Sequence, residues 1–84
     1  MDKLAFIEQL REIVKPYAKN QAALANINAS TDFINDLKIN SANLVDVVLD
    51  VEEKYDIVIQ NEEMERMLNV QAAMDIVEAK LSEK

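Results

Sequence analysis

The sequence contains no cysteine, no histidine and no glycine. Without cysteine the chain cannot be held by disulfides, and without cysteine or histidine the common ligand sets for zinc and iron–sulfur clusters are missing. The same absences exclude nucleophilic catalysis by a Ser–His or Cys–His pair. A glycine-rich phosphate loop is excluded as well. We therefore expect a protein without resident metal that is not an enzyme, and whose fold rests on its apolar core.

Long hydrophobic runs are also lacking. No stretch approaches the roughly 20 apolar residues that a membrane-spanning helix needs. The first residues, Met1-Asp2-Lys3, lack the basic region, apolar core and cleavage site of a secretory signal. We expect a cytoplasmic monomer without membrane insertion. A length of 84 residues predicts a single domain, residues 1–84, with a modest core.

Positive charge is scarce in one part of the chain. Residues 40–65 hold eight acids and one base, Lys54, while the rest of the chain has eight of each. The whole net charge of −7 therefore lies in this stretch. It would repel nucleic acid, so we expect no nucleic-acid partner. The acids are either a solvated surface that keeps the protein soluble or a docking surface for basic partners.

Apolar residues recur at helical spacing through most of the chain. They predict an amphipathic helix over 3–19, a second over 41–55, a short third over 62–68 capped by Asn61, and a last one starting at Asn69. Residues 20–39 lose this periodicity and predict a long connection with scattered apolar anchors. The predicted fold class is all-α: a four-helix bundle with a long loop after the first helix and a short third helix.

Local signals refine these boundaries. Pro16 predicts a kink, or an early end of the first helix between Val14 and Lys19. Residues 57–59 resemble a strand, but no second strand is available, so we expect an extended linker. Because glycine is absent, asparagine is expected at left-handed turn positions.

Few residues offer a site for chemistry. Carboxylates are abundant, but nothing in the sequence marks a buried acid–base pair. The alternating polar residues of 26–37 resemble a calcium loop, yet Thr31 and Leu37 stand where that loop requires Gly and Glu, which excludes it.

Ser41 stands out because it lies between the long connection and the valine-rich helix, just ahead of the acidic stretch. Its hydroxyl has two interpretations. It either caps the helix or carries a phosphate-linked group, which free amides and the positive end of the helix dipole would favour.

Three segments resemble the acyl carrier protein family. Residues 33–46, FINDLKINSANLVD, are similar to the family segment around its modified serine. Residues 51–59, VEEKYDIVI, and 67–71, MLNVQ, are similar to the end of its second helix and to the turn into its last helix. The alignment of this sequence with the family pattern needs no gaps from Phe33 to about Val77.

The resemblance implies that Ser41 carries 4′-phosphopantetheine, which a phosphopantetheinyl transferase installs from coenzyme A. Acyl groups would then be held on this arm as thioesters for fatty-acid, related lipid or polyketide biosynthesis. The resemblance also implies partners with basic surfaces, namely acyl-handling synthases and transferases. Their docking residues would be Asp46, Glu52 and Glu53, which match acidic positions of the family, together with Asp50, which is acidic where the family usually has a small residue. The residues lining an acyl pocket would be Val45, Val48 and Met74.

The departures from the family pattern lie close to the serine. Asn40-Ser41-Ala42 stands in place of Asp-Ser-Leu, Lys38 in place of a Gly, and Asn43 in place of an acid. Asn40 offers a metal ion an oxygen without a charge, so the metal ion that the transferase uses should bind more weakly. Ala42 removes most of an apolar contact.

Two alternatives follow. The first is a carrier-fold interaction module that has lost the arm and binds a basic partner through helix 41–55. The second is an aminoacyl or polyketide carrier, which differs only in cargo. Near-minimal length and acidity favour a stand-alone protein over a domain of a synthase.

Overall fold

The computed structural model describes residues 2–83 and confirms an all-α fold. Within this range lie five helices: α1 Lys3–Val14, α2 Gln21–Ala25, α3 Ser41–Tyr55, α4 Asn61–Arg66 and α5 Val70–Ser82. No helix among these described residues is both long and apolar enough to cross a bilayer.

Helix α1 begins and ends where local chemistry predicts. The Asp2 carboxylate accepts hydrogen bonds from the amides of Leu4 and Ala5, which satisfies donors of the first turn. The helix ends at Val14, two residues before Pro16, so the predicted early end is confirmed. Leu4 shares the helical spacing of the buried Ile7 and Leu10 but is itself 74% exposed. The reason is Phe6, which is buried and shifts the centre of the buried face away from Leu4.

The connection between α1 and α3 contains a helix that the sequence analysis did not predict. Helix α2 is only five residues long, too short to show a helical period. It starts where the Asn20 side chain accepts a hydrogen bond from the Ala23 amide at 3.1 Å. The fold therefore has one short helix more than the predicted four. Most of the expected apolar anchors of this connection are buried: Leu24, Ile27, Phe33, Leu37 and Ile39.

Backbone hydrogen bonds attach this connection to the turn between α4 and α5. The Phe33 amide donates to the Leu68 carbonyl at 3.0 Å, and the Val70 amide donates to the Thr31 carbonyl at 3.0 Å. Because these bonds join residues far apart in the chain, they fix the position of the segment that leads into α3.

Lys38 and Asp56 have φ angles of 60° and 54°. They are the residues with positive φ in the described part of the chain, so the prediction that asparagine would take these positions is wrong. Asp56 follows the last turn of α3, where the helix end itself imposes a left-handed residue. Lys38 reverses the chain shortly before α3 begins.

No side chain of helix α4 is fully buried, although Met64 is partly buried against the core. Gln60, not Asn61 as predicted, is its N-cap residue, and the Gln60 amide donates to the Glu63 carboxylate at 3.0 Å. Lys80 of α5 forms an ion pair with the same carboxylate at 2.9 Å. The hydrogen bond from Lys80, followed by that from Gln60, lowers the pKa of Glu63. Buried Met67 anchors the chain immediately after α4.

The core lies between α1, α3 and α5. Helix α5 starts at the predicted cap, where the Asn69 side chain accepts a hydrogen bond from the Ala72 amide. The segment 57–59 is extended as expected, with Ile57 and Ile59 buried and Val58 exposed. The central helices contribute most of the core residues that are almost completely inaccessible: Leu10, Val14, Val47, Val51, Val70, Ala73 and Val77.

We predict that Lys38→Gly stabilises the protein. A side chain at left-handed φ costs about 1–2 kcal/mol, which glycine avoids, although the unfolded chain gains entropy. The free energy of unfolding in urea should rise by about 0.5–1 kcal/mol. Lys38→Ala removes the same charge and keeps Cβ, so it serves as the control and should give no such gain. An equal gain in both variants would assign the effect to charge.

Candidate functional site

Ser41 is the first residue of α3, and its side chain is exposed. The residue before it, Asn40, is the N-cap, since the Asn40 side-chain oxygen accepts a hydrogen bond from the Ala42 amide at 2.8 Å. The interpretation of Ser41 as the cap is therefore wrong. Within residues 2–83 the Ser41 hydroxyl has no structural hydrogen bond, which leaves it available for covalent chemistry.

The amides of the first turn of α3 are largely used. Besides the bond to Ala42, the Asn40 carbonyl accepts hydrogen bonds from the amides of Asn43 and Leu44, at 2.8 and 3.1 Å. An anion attached to Ser41 would thus gain little from free amides, contrary to the sequence-based expectation. It would still lie at the positive end of the α3 dipole.

The four acids predicted for docking divide into two groups. Asp46 and Glu53 are exposed, and because they are seven residues apart they lie on the same side of α3. Asp50 is half-buried, and its carboxylate accepts a hydrogen bond from the Tyr17 hydroxyl at 3.3 Å. Burial, followed by the charge and hydrogen bond of Asp50, raises the pKa of Tyr17.

Glu52 has a structural role that its sequence position did not reveal. Its carboxylate accepts a hydrogen bond from the backbone amide of Ile59 at 2.8 Å. The side chain is half-buried and ties the extended segment after α3 back to the helix. Of the predicted docking residues, Asp46 and Glu53 are the ones that are exposed.

The three candidates for an acyl pocket do not lie together. Val48 and Met74 belong to the buried core, with 3% and 4% of their surfaces exposed. Val45 is 45% exposed, so it lies apart from these two core residues, and its assignment to an acyl pocket stays a prediction. At 100° per residue, Val45 falls outside the arc of α3 that faces the core.

Val45 instead continues an apolar surface that the sequence analysis missed. Leu49, one turn further along α3, is 54% exposed, and Ala42, one turn before Val45, is exposed as well. The i, i+3, i+7 spacing of these residues was visible in the sequence. It was hidden because the same helix carries a second, buried stripe of valines.

Comparisons with known proteins agree with this geometry. The chain is 30% identical over 78 residues to the acyl carrier protein of Brachyspira hyodysenteriae, and the match covers 89% of this chain and 95% of that protein. The chain belongs to the acyl carrier protein family. It is also 27% identical over 84 residues to the acyl carrier protein of Coprothermobacter proteolyticus, with both chains covered completely. A scan against models of protein families finds no match.

Membership of the acyl carrier protein family assigns the chain a carrier role. Proteins of this family are carriers and not catalysts, and they generally hold a phosphopantetheine arm. The all-helical architecture and the helix start at Ser41 are consistent with that role.

We predict that Glu52 contributes to the stability of this family member. Glu52→Ala leaves the amide of Ile59 without its partner, which should lower the free energy of unfolding by about 1–3 kcal/mol. Glu52→Gln retains an acceptor oxygen for the Ile59 amide, so its free energy of unfolding should fall by less. Glu53→Ala, at a neighbouring exposed position, is the control and should change stability by less than about 0.5 kcal/mol. The measurement is urea unfolding followed by circular dichroism, and equal losses at 52 and 53 would contradict the role.

Proposed function

We propose that this chain holds acyl intermediates as thioesters on a 4′-phosphopantetheine arm attached to Ser41. The observation that carries the proposal is the exposed Ser41 hydroxyl at the start of α3, with the capping role taken by Asn40. Family membership supports the kind of group, and the exposed hydroxyl supports Ser41 as its attachment point.

The attachment needs only a free hydroxyl from this chain. The Ser41 oxygen attacks the phosphorus of coenzyme A that is nearer to pantetheine. The new O–P bond replaces the bond to adenosine 3′,5′-bisphosphate, and the hydroxyl proton passes to a base of the transferase. The arm, once bound, supplies the thiol on which acyl groups are carried. The chain contributes the tether and the orientation of the attachment point.

Asn40 and Ala42 bear on this reaction in different ways. The Asn40 side chain is neutral and already bonded to the Ala42 amide, so it offers a metal ion in the transferase complex a weaker ligand than a carboxylate would. Ala42 gives a partner little apolar surface. Val45 and Leu49 provide the nearest larger apolar groups on the exposed side of α3.

The outer face of α3 is the docking surface in this proposal. Asp46 and Glu53 present exposed carboxylates, and Val45 and Leu49 lie at the same exposed surface. Basic partner surfaces, on the transferase and on acyl-handling enzymes, would be steered by these acids. A sheltered acyl chain would have to separate core residues such as Val48 and Met74, because both are packed in the core.

We predict that the chain accepts one phosphopantetheine at Ser41. Intact-protein mass spectrometry after incubation with coenzyme A, Mg²⁺ and a broad-specificity phosphopantetheinyl transferase should show a single addition. The addition should disappear in Ser41→Ala and persist in Ser82→Ala, an exposed serine at the end of α5. No addition, including with a transferase from the same organism, would contradict the proposal and favour the module without an arm.

We further predict that Asp46→Lys with Glu53→Lys slows association with the transferase several-fold at low salt, because two steering charges are reversed. The control is Asp75→Lys with Glu78→Lys, which makes the same change in net charge at exposed positions of α5. Stopped-flow association across a salt series is the measurement. If both double variants slowed association equally, the effect would come from the net charge of the protein and not from a docking surface on α3.

A further inference from the structure

A groove between α1 and α3 lies apart from the Ser41 site. One part of it is a cleft of about 450 Å³ lined by Glu8, Gln9, Glu12, Ile13 and Lys54. The adjoining cleft, of about 440 Å³, is lined by Ile13, Asp50, Glu53 and Lys54. Because both clefts share Ile13 and Lys54, they form one continuous groove with a half-buried isoleucine between the two helices. We call it the α1–α3 groove.

The α1–α3 groove faces away from the apolar side of α3. Lys54 follows Val45 by nine residues, about two and a half helical turns, so the two side chains leave α3 on opposite sides. Lys54 also follows Ser41 by 13 residues, which places it about 20 Å further along the helix. A partner in the groove would therefore leave Ser41 and Val45 uncovered, whereas Glu53, which also lines the groove, lies one turn after Leu49.

The charges around the groove indicate which kind of partner could bind there. Glu8 is neutralised by Arg11, whose guanidinium lies 2.7 Å from its carboxylate. Glu12 and Glu53 are exposed and form no ion pair within residues 2–83, and the half-buried Asp50 adds a third negative charge. Lys54 is the one base in the lining of the two clefts. The groove is thus negative at its rim and apolar at Ile13.

We propose that the α1–α3 groove docks a basic amphipathic helix of a partner protein. The groove between the two contacting helices, with the half-buried Ile13 in it, fits a third helix, whose apolar residue would meet Ile13. Lysine or arginine on that helix would face Glu12 and Glu53. A second copy of this chain fits poorly, because its net charge of −7 repels an identical molecule. The docking holds the carrier while Ser41 remains free for other enzymes.

The test uses the unmodified full chain and two synthetic helical peptides of equal positive charge, one with leucines on its apolar face and one with serines there. Binding is measured by fluorescence anisotropy and mapped by ¹H–¹⁵N NMR. The leucine peptide should shift the amides of Gln9, Ile13 and Lys54. It should bind at least about fivefold more tightly than the serine peptide. Equal binding of the two peptides, or shifts centred on Val45 and Leu49, would overturn the proposal.

Charge variants complete the test. Glu12→Lys should weaken the leucine peptide by roughly three- to tenfold, whereas Glu78→Lys, on α5 and in a separate cleft, should have less than half of that effect. Equal weakening by both would overturn the proposal, as would shifts at Ile13 that depend on protein concentration without peptide. Because Glu53 also belongs to the docking surface for the transferase, saturating peptide should slow Ser41 loading by no more than Glu53→Lys does, and blocked loading would contradict a separate site. Peptide binding does not require phosphopantetheine on Ser41. The binding result can therefore be interpreted even if Ser41 does not accept the phosphopantetheine arm.

Discussion

Burial of the valine face of α3 is the constraint on which the rest of the structure depends. The chain has no disulfide to hold it, so its stability rests on apolar burial. Val47 and Val51 are completely inaccessible, and each contributes about 1.5 kcal/mol or more through burial. Valine is a poor helix former, so α3 is stable because it packs against α1 and into the buried core. That packing fixes which sides of α3 remain for function.

The exposed surface of α3 is consequently divided into regions with different chemistry. Ser41 begins the helix with a free hydroxyl, because Asn40 supplies the cap. Val45 and Leu49 form an apolar strip, flanked by the carboxylates of Asp46 and Glu53. On the opposite side lies the α1–α3 groove. In these proposals a single helix of 15 residues carries the attachment point, a transient docking surface and a holding contact, and Glu53 is shared by the last two.

Sequence patterns predicted well wherever one face of a helix meets the core. The stripe in α3 and the cap of α5 at Asn69 followed from spacing and local chemistry. Sequence patterns predicted the structure poorly where contacts with neighbouring elements determine the conformation or the exposure of a residue. Helix α2 is too short for its period to be seen, and Leu4 and Val45 are exposed because other residues occupy the core beside them. Lys38 adopts left-handed φ because the chain must turn there before α3, although asparagine fits that conformation more easily.

The sequence by itself determined the all-α class, the excluded chemistries, the acidic middle of the chain and the position of Ser41 at the start of a helix. These depend on residue type and on spacing within one element. Only the tertiary structure decided that Glu52 holds the Ile59 amide and that α1 and α3 enclose a groove. Those features depend on how segments meet in space, which the spacing of residues within one segment does not specify.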